Sequence, residues 1–512
     1  MTDPIDGTRR RGPVLAVLCL SVLVINMDAM IVNVALPSLV EQLDATTSDL
    51  QWIADAYSLT FAALVIAAGS LSDRFGRREA LVAGLALFTL SSGLGAFSRT
   101  AGELITARAV MGLGAALIYP ATLSILTTVY VERRERARAI GAWGAVSGIG
   151  IVLGPLVGGV LLEHFWWGSI LLVMAPVGLL ALALTAAWVP TSRDPAAPPL
   201  DLPGLVLSSA TVAVAVHTLI AAPHDGWLGT GTASGLALTV ALGAALLAHE
   251  RGTRHPMLDL ALFRDRRFTG ACGAMTAAFF TLYGFIFVIT QYLQLVRGYS
   301  PGETGLRFAP VAVGMVAGSV VGGRLAITWG TRLVVTSGIV TLGVVYLWFA
   351  SQSATTGYGV LAAQLALVGL GLGVVGVPAT EAIMRAVPPA KASMGSALND
   401  ATRLLGGTLG VAIVGSLFQT VYAHRLQRAE DVTGETLHRA QESIGAAARE
   451  VGQLTIAGRP AQASSLESAA VESFLHSFQL ACLVLAAISI VTALVAWVSM
   501  PSRREDRDPT SA

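Results

Sequence analysis

GSLSDRFGRREAL, residues 69 to 81, places two glycines, two acids and three arginines in one short segment. On either side the chain is almost wholly apolar, over 52 to 72 and over 80 to 98. A spanning helix needs about 20 apolar residues at a rise of about 1.5 Å each, and in lipid only a helix or a closed barrel satisfies its own backbone. A charged turn framed by glycines between two such stretches therefore reads as the surface link of a membrane helix pair.

The pattern recurs along the chain. Spans are expected near 14 to 36, 52 to 72, 80 to 98, 103 to 128, 139 to 162, 167 to 189, 203 to 221, 231 to 249, 269 to 293, 305 to 327, 333 to 350, 358 to 384, 399 to 421 and 477 to 499, fourteen in all. Composition agrees: 54% of residues are hydrophobic and 13% charged, against roughly 25% charged in soluble domains. The expected fold is an all-α membrane protein. Cys19, Cys272 and Cys482 fall in different spans, which argues against a metal site. No GxxxxGK[ST] phosphate loop, HExxH or cysteine cluster occurs, so ATP-driven transport and metalloenzyme chemistry are disfavoured. No nucleic-acid partner is expected, and the chain does not read as an enzyme.

Short loops keep Lys and Arg on the cytoplasmic side. With the amino terminus inside, Arg9 to Arg11, Arg74, Arg77, Arg78, Arg133, Arg134, Arg136, Arg138, Arg251, Arg254, Arg264, Arg266, Arg267, Arg385, Lys391, Arg503 and Arg504 all fall inside. The short outer loops then hold only Arg99 and Arg297. Both termini are expected in the cytoplasm of a cell whose Arg-rich, Lys-poor usage suggests a GC-rich bacterium, with the protein in its inner membrane. The first span is too long for a secretory signal.

Composition breaks at TSRDPAAPPLDLP, residues 191 to 203. The expected organisation is a six-span bundle over 1–190, a linker with two further spans over 191–268, and a second six-span bundle over 269–512. A long loop at 422–472 is placed outside, where its mixed charge suits a solvated, helical cap. Gly69 and Gly76 bracket SLSDRF, and Gly323 and Gly330 bracket RLAITW at the same spacing, with Ile327 in the place of Asp73. The second copy keeps the turn and loses the acid.

Taken in order, these segments resemble the major facilitator superfamily, and within it the fourteen-span drug:proton antiporters. GSLSDRFGRREAL matches the family's loop motif at Gly69, Leu71, Asp73, Arg74, Gly76, Arg77 and Arg78. LITARAVMGLGAALIYP matches the fourth-span motif at Arg108 and Gly112, and GIGIVLGPLVGG the antiporter motif at Gly150, Gly154, Pro155, Gly158 and Gly159. NMDAMIVNVALP matches the first-span motif, with Met30 where many members have Thr, while QYLQLVRGYSPGETGLRFAP and GSALNDATRLLGGTLGVA look like the same group. The resemblance implies a proton-coupled antiporter that exports amphipathic, cationic drugs or antibiotics by alternating access, with protons and the bilayer as partners. It implies no cofactor beyond the proton gradient, and a monomer. The alternatives on the same fold are a dedicated exporter of a metabolite or lipid, and an uptake symporter.

Charge inside a span costs several kcal/mol unless paired or hydrated, and so marks function by default. Asp28 lies roughly 20 Å along the first span by helical rise; with Arg108, Asp55 and Asp400 it forms the candidate set for proton or cation coupling. A static Asp28–Arg108 pair is the structural alternative. In the gating loop Asp73 can latch one conformation, while Arg74, Arg77 and Arg78 also set topology. Gly150, Gly154 and Gly158 share one helix face, a hinge or close-packed seam beside Pro155. Glu381 and Arg385, four apart, read as an intrahelical pair, and Arg403 stands where it can neutralise Asp400.

Overall fold

A computed structural model describes residues 4–130, 132–192, 201–253, 260, 262–387, 392–427 and 434–500, and among these there is no strand. The amino-terminal part comprises α1 (Pro4–Leu43), α2 (Thr47–Phe75), α3 (Arg77–Gly95), α4 (Ala101–Val129), α5 (Arg133–His164), α6 (Ser169–Leu172) and α7 (Met174–Trp188). Next come α8 (Leu202–Asp225) and α9 (Thr230–Gly252). The rest holds α10 (Arg266–Gln291), extended by a π turn at Tyr292–Val296, then α11 (Pro301–Arg307), α12 (Ala309–Trp329), α13 (Thr331–Phe349), α14 (Tyr358–Ala386), α15 (Ala392–Leu426), α16 (Glu435–Ala440), α17 (Ile444–Ile456) and α18 (Pro460–Ser499).

Among the described residues, 12 helical segments are long and apolar enough to cross a membrane. Helices also occupy the second and third expected spans, as α2 of 29 residues and α3 of 19. Both carry the charges of the 69–81 segment, and α2 adds Asp49 and Asp55. The chain is thus an all-helical, multi-pass membrane protein whose apolar helices bury their backbone polarity in their own hydrogen bonds.

The two glycine-bracketed turns have matching geometry. Gly76 joins α2 to α3 at φ 128° and Gly330 joins α12 to α13 at φ 86°, both in the region that favours glycine. Each cap donates its N–H to a helical carbonyl, Gly76 to Ser72 at 3.0 Å and Gly330 to Ala326 at 3.0 Å. Ile327 is 80% exposed. The side chain of Asp73 lies outside the described set, as do those of Arg133, Arg134, Arg136 and Arg138, residues 193–200 of the linker, and Arg254, Lys391, Arg503 and Arg504.

Packing follows the small residues. α4 meets α3 where Gly84 and Gly114 face each other's backbone, and meets α2 where an added Cβ on Gly112 would stand 2.4 Å from the Tyr57 carbonyl oxygen. In the carboxy-terminal part α12 and α14 approach through Gly314, Gly318, Gly369 and Gly373, and aromatic contacts such as Phe285–Phe349 fill the space between α10 and α13. The 422–472 region differs from a merely solvated cap. α17 buries Ile444, Ala446, Ala447 and Leu454, and α18 starts at Pro460, well before the span expected from 477. Its apolar face packs on the helix bundle, so the segment loses less to water than its charge content suggests.

Candidate functional site

Asp28 and Arg108 meet in the middle of the amino-terminal helices. Arg108 Nη1 donates to Asp28 Oδ2 at 2.5 Å, with the two side chains 1% and 0% exposed. The fit is built from three helices: Arg108 Nε also donates to the carbonyl of Ile53 on α2 at 3.2 Å, and its guanidinium lies 4.6 Å from the centre of the Tyr57 ring. Tyr57 in turn donates to the Ile25 carbonyl at 3.3 Å. Gly112, one turn beyond Arg108, lets α4 come close enough for this. One oxygen is left over, because Asp28 Oδ1 is buried with no hydrogen-bond partner among the described residues. A buried ion pair is held firmly only when the remaining lone pairs are also satisfied. This carboxylate is therefore half-anchored and half-available.

The other acids are not gathered into the same contact. Asp55 is 1% exposed, and its Oδ2 is buried without a hydrogen-bond partner among the described residues. Asp400 is buried and accepts from the neighbouring Asn399 amide at 3.3 Å. Arg403, near enough for its charge to act on Asp400, donates to Thr380 Oγ1 at 3.0 Å and sits 5.2 Å over the Phe279 ring. Glu381 and Arg385 form the expected exposed pair at 2.5 Å.

The antiporter-motif helix lies on the seam between the two parts of the molecule. Gly150, Gly154 and Gly158 face α1, where added Cβ atoms would stand 2.9 Å from Leu23 O, 2.6 Å from Met27 O and 2.6 Å from Ile31 Cγ1. Gly159 and Pro155 face α11: a Cβ on Gly159 would be 2.5 Å from Pro301 O, and one on Gly305 would be 2.2 Å from Pro155 O. One helix thus packs against its own bundle with one edge and against the opposite part with the other.

Several functional contacts have no signature in a motif. Asn26 on α1 donates to Ser147 on α5 at 3.0 Å, and Ser147 meets the Tyr119 hydroxyl of α4 at 3.3 Å. Gln51 on α2 donates to the Ala412 carbonyl and Ser416 hydroxyl of α15, each at 3.2 Å. In the 69–81 segment, Arg77 Nη1 donates to Thr128 at 2.5 Å and Arg78 Nη2 to the Ala186 carbonyl at 2.6 Å, so the arginines tie down the ends of α4 and α7.

The end of the bundle bearing the α1–α2 turn is closed across the two parts. Gln294 donates to the Val34 carbonyl at 2.9 Å, Ser300 to Glu163, and Thr47 to the Glu442 carbonyl. Arg449 on α17 donates to Asp44 at 2.5 Å and to the Val40 carbonyl at 2.9 Å. Asp44 is the one described non-glycine residue with positive φ, at 52°. An exposed pair contributes about 0.2–1 kcal/mol, so Arg449→Ala should shift the balance toward opening at this end by about 1.4- to fivefold. The check is the labelling rate of Asn33→Cys by an aqueous thiol reagent, with Cys19, Cys272 and Cys482 replaced; an unchanged rate removes α17 from the gate.

Comparison with known proteins places this arrangement. Residues 18–411 match the family model described as the Major Facilitator Superfamily. The chain is 36% identical to the multidrug efflux pump LfrA of Mycolicibacterium smegmatis, over 89% of this chain and 92% of that one. It is 33% identical to the methyl viologen resistance protein SmvA of Salmonella typhimurium, over 96% and 98% respectively. A crystal structure of a bacterial homologue of the human lysosomal transporter Spinster shares the fold, with a TM-score of 0.65 at 16% identity, covering 98% of this chain. The chain is a transporter and not an enzyme, and it belongs to the major facilitator superfamily.

Proposed function

We propose that this protein is a fourteen-span antiporter that exports amphipathic, cationic drugs or antibiotics from the cytoplasm in exchange for protons, as a monomer in the bacterial inner membrane. The observation that carries the reading is the buried Asp28–Arg108 contact with Asp28 Oδ1 unpartnered. A carboxylate clamped on one side and open on the other can exchange its counter-charge: a proton, a cationic substrate or Arg108 compete for it. Asp55 and Asp400 are the reserve sites if Asp28 is only a strut. The names of the relatives support drug efflux, and the buried acids support cation and proton handling. Transport in inverted vesicles of cationic, neutral and anionic drugs, with and without a proton gradient, tests it. Export of cations that ignores the gradient would rule out antiport.

The orientation proposed has both termini and the Asp73 loop in the cytoplasm and 422–472 outside. Ser464→Cys, in a background without other cysteines, should react with an impermeant reagent from the outer side alone. Reaction only from the cytoplasmic side would invert the topology. Asp73→Asn should impair transport with insertion intact, while Ile327→Asn should do little, since the second copy of the turn carries no acid. Equal losses at equal expression would remove the special role of Asp73.

A further inference from the structure

The two seams where the halves meet are built differently. At the α2–α15 seam a third helix is laid over the joint. Ser416 on α15 donates to the Leu219 carbonyl of α8 at 2.7 Å, Trp227 at the end of α8 donates to Thr420 at 3.0 Å, and Leu59, Val216, Ile220 and Ala412 form a closed apolar cluster from α2, α8 and α15. Gln51 adds its bonds from α2 to α15 beneath that cover. The inserted helix therefore separates this joint from lipid.

Among the described residues, the α5–α12 seam has no such cover. Ile149 and Val160 on α5 and Val313 and Val316 on α12 are exposed, as lipid-facing side chains are. At the α1–α2 end this seam is shut by the Gly159–Pro301 and Gly305–Pro155 approaches. Toward the other end it loosens: added Cβ atoms on Gly144 and Gly148 would meet nothing within 4 Å. Between these zones lies a cavity of 30 Å³ lined by Met30 and Asn33 of α1, Pro155, Ile286 of α10, Phe308 and Met315. The Asn33 Nδ2 donates to its own helix, to the Ala29 carbonyl at 3.2 Å, and the other lining side chains are apolar. Two flexible thioethers and an aromatic ring adapt to hydrocarbon of varied shape. With the halves closed here the cavity is methyl-sized.

We propose that the α5–α12 seam is a side portal from the bilayer, that its cavity takes the hydrocarbon tail of a membrane-dissolved amphiphilic cation, and that α8 closes the matching route at α2–α15. This rests on the export reading above and adds the route and the tail site.

The test uses the full chain in proteoliposomes with two N-alkylpyridinium ions, butyl and dodecyl. Met315→Trp fills the cavity and should raise the apparent KM for the dodecyl ion about tenfold, as denying roughly two methylenes their burial would. The butyl ion should stay within about twofold, which also reports that the variant is folded. Equal effects on both ions, or none on the dodecyl ion, overturn the proposal. In the unaltered protein, a dodecylpyridinium ion carrying a diazirine at its tail end should label Met30, Phe308 or Met315. Labelling confined to α8 and α15 overturns it independently of any variant. If neither ion moves with the proton gradient in the unaltered protein, the antiport reading fails, and the labelling alone decides the portal.

Discussion

Asp28→Asn should abolish gradient-driven export, a loss of at least about a hundredfold, because the amide keeps size and hydrogen bonding but neither carries charge nor exchanges a proton. The change has a second effect that must be separated from the first. It leaves Arg108 buried opposite a neutral group, and breaking a buried pair by removing one charge destabilises by about 3–5 kcal/mol. The combined change Asp28→Asn with Arg108→Gln removes both charges and should recover thermal stability without recovering export. That divergence is the diagnostic result. If the double variant exports normally, the pair is a structural strut and coupling passes to Asp55 or Asp400.

The second large effect is steric. Gly154→Ala places a methyl 2.6 Å from the Met27 carbonyl oxygen and 2.8 Å from Met30 Cβ, and the first of these neighbours is backbone that cannot rotate away. Forcing α1 and α5 apart should cost about 1–3 kcal/mol, the usual range for overpacking. It should also stop the two helices from sliding as a unit. Gly148→Ala on the same helix meets nothing within 4 Å and should be neutral within about 0.5 kcal/mol. Melting temperature and export measured on both variants settle the matter. Equal behaviour at the two positions would show that the motif glycines are interchangeable with other small residues.

Much of this architecture was legible in the residues. Apolar length predicts a helix at each expected position because helix formation in lipid depends on little else, and Gly76 and Gly330 announce turns that only glycine makes comfortably. The burial of Asp28 and Arg108 could be expected from their place in their spans, though only the fold shows that the two touch. What stays hidden are contacts between distant segments. Gln51 looks like any polar residue near a helix start until α15 is laid beside it, and Ser147 is one serine among glycines until Asn26 and Tyr119 converge on it. Arg403 shows the limit of spacing. Spacing offers it to Asp400, whose charge it does feel, but its hydrogen bond goes to Thr380 and its plane to Phe279. Helical periodicity predicts which residues share a face; it says little about which of several close partners a long side chain selects.

The contact of Arg449 with Asp44 and the Val40 carbonyl joins residues more than four hundred positions apart at the rim of the bundle. In the orientation proposed, that rim faces away from the cytoplasm. The phase of the transport cycle is then displayed on the outer face of that membrane, at a surface composed of two segments that are adjacent only while the pump is shut on that side. An antibody fragment raised against the joined surface would act as a clamp without crossing the membrane or competing with any drug. Inhibition by such a reagent would be indifferent to substrate chemistry, so resistance to it could not arise by altering the cavity.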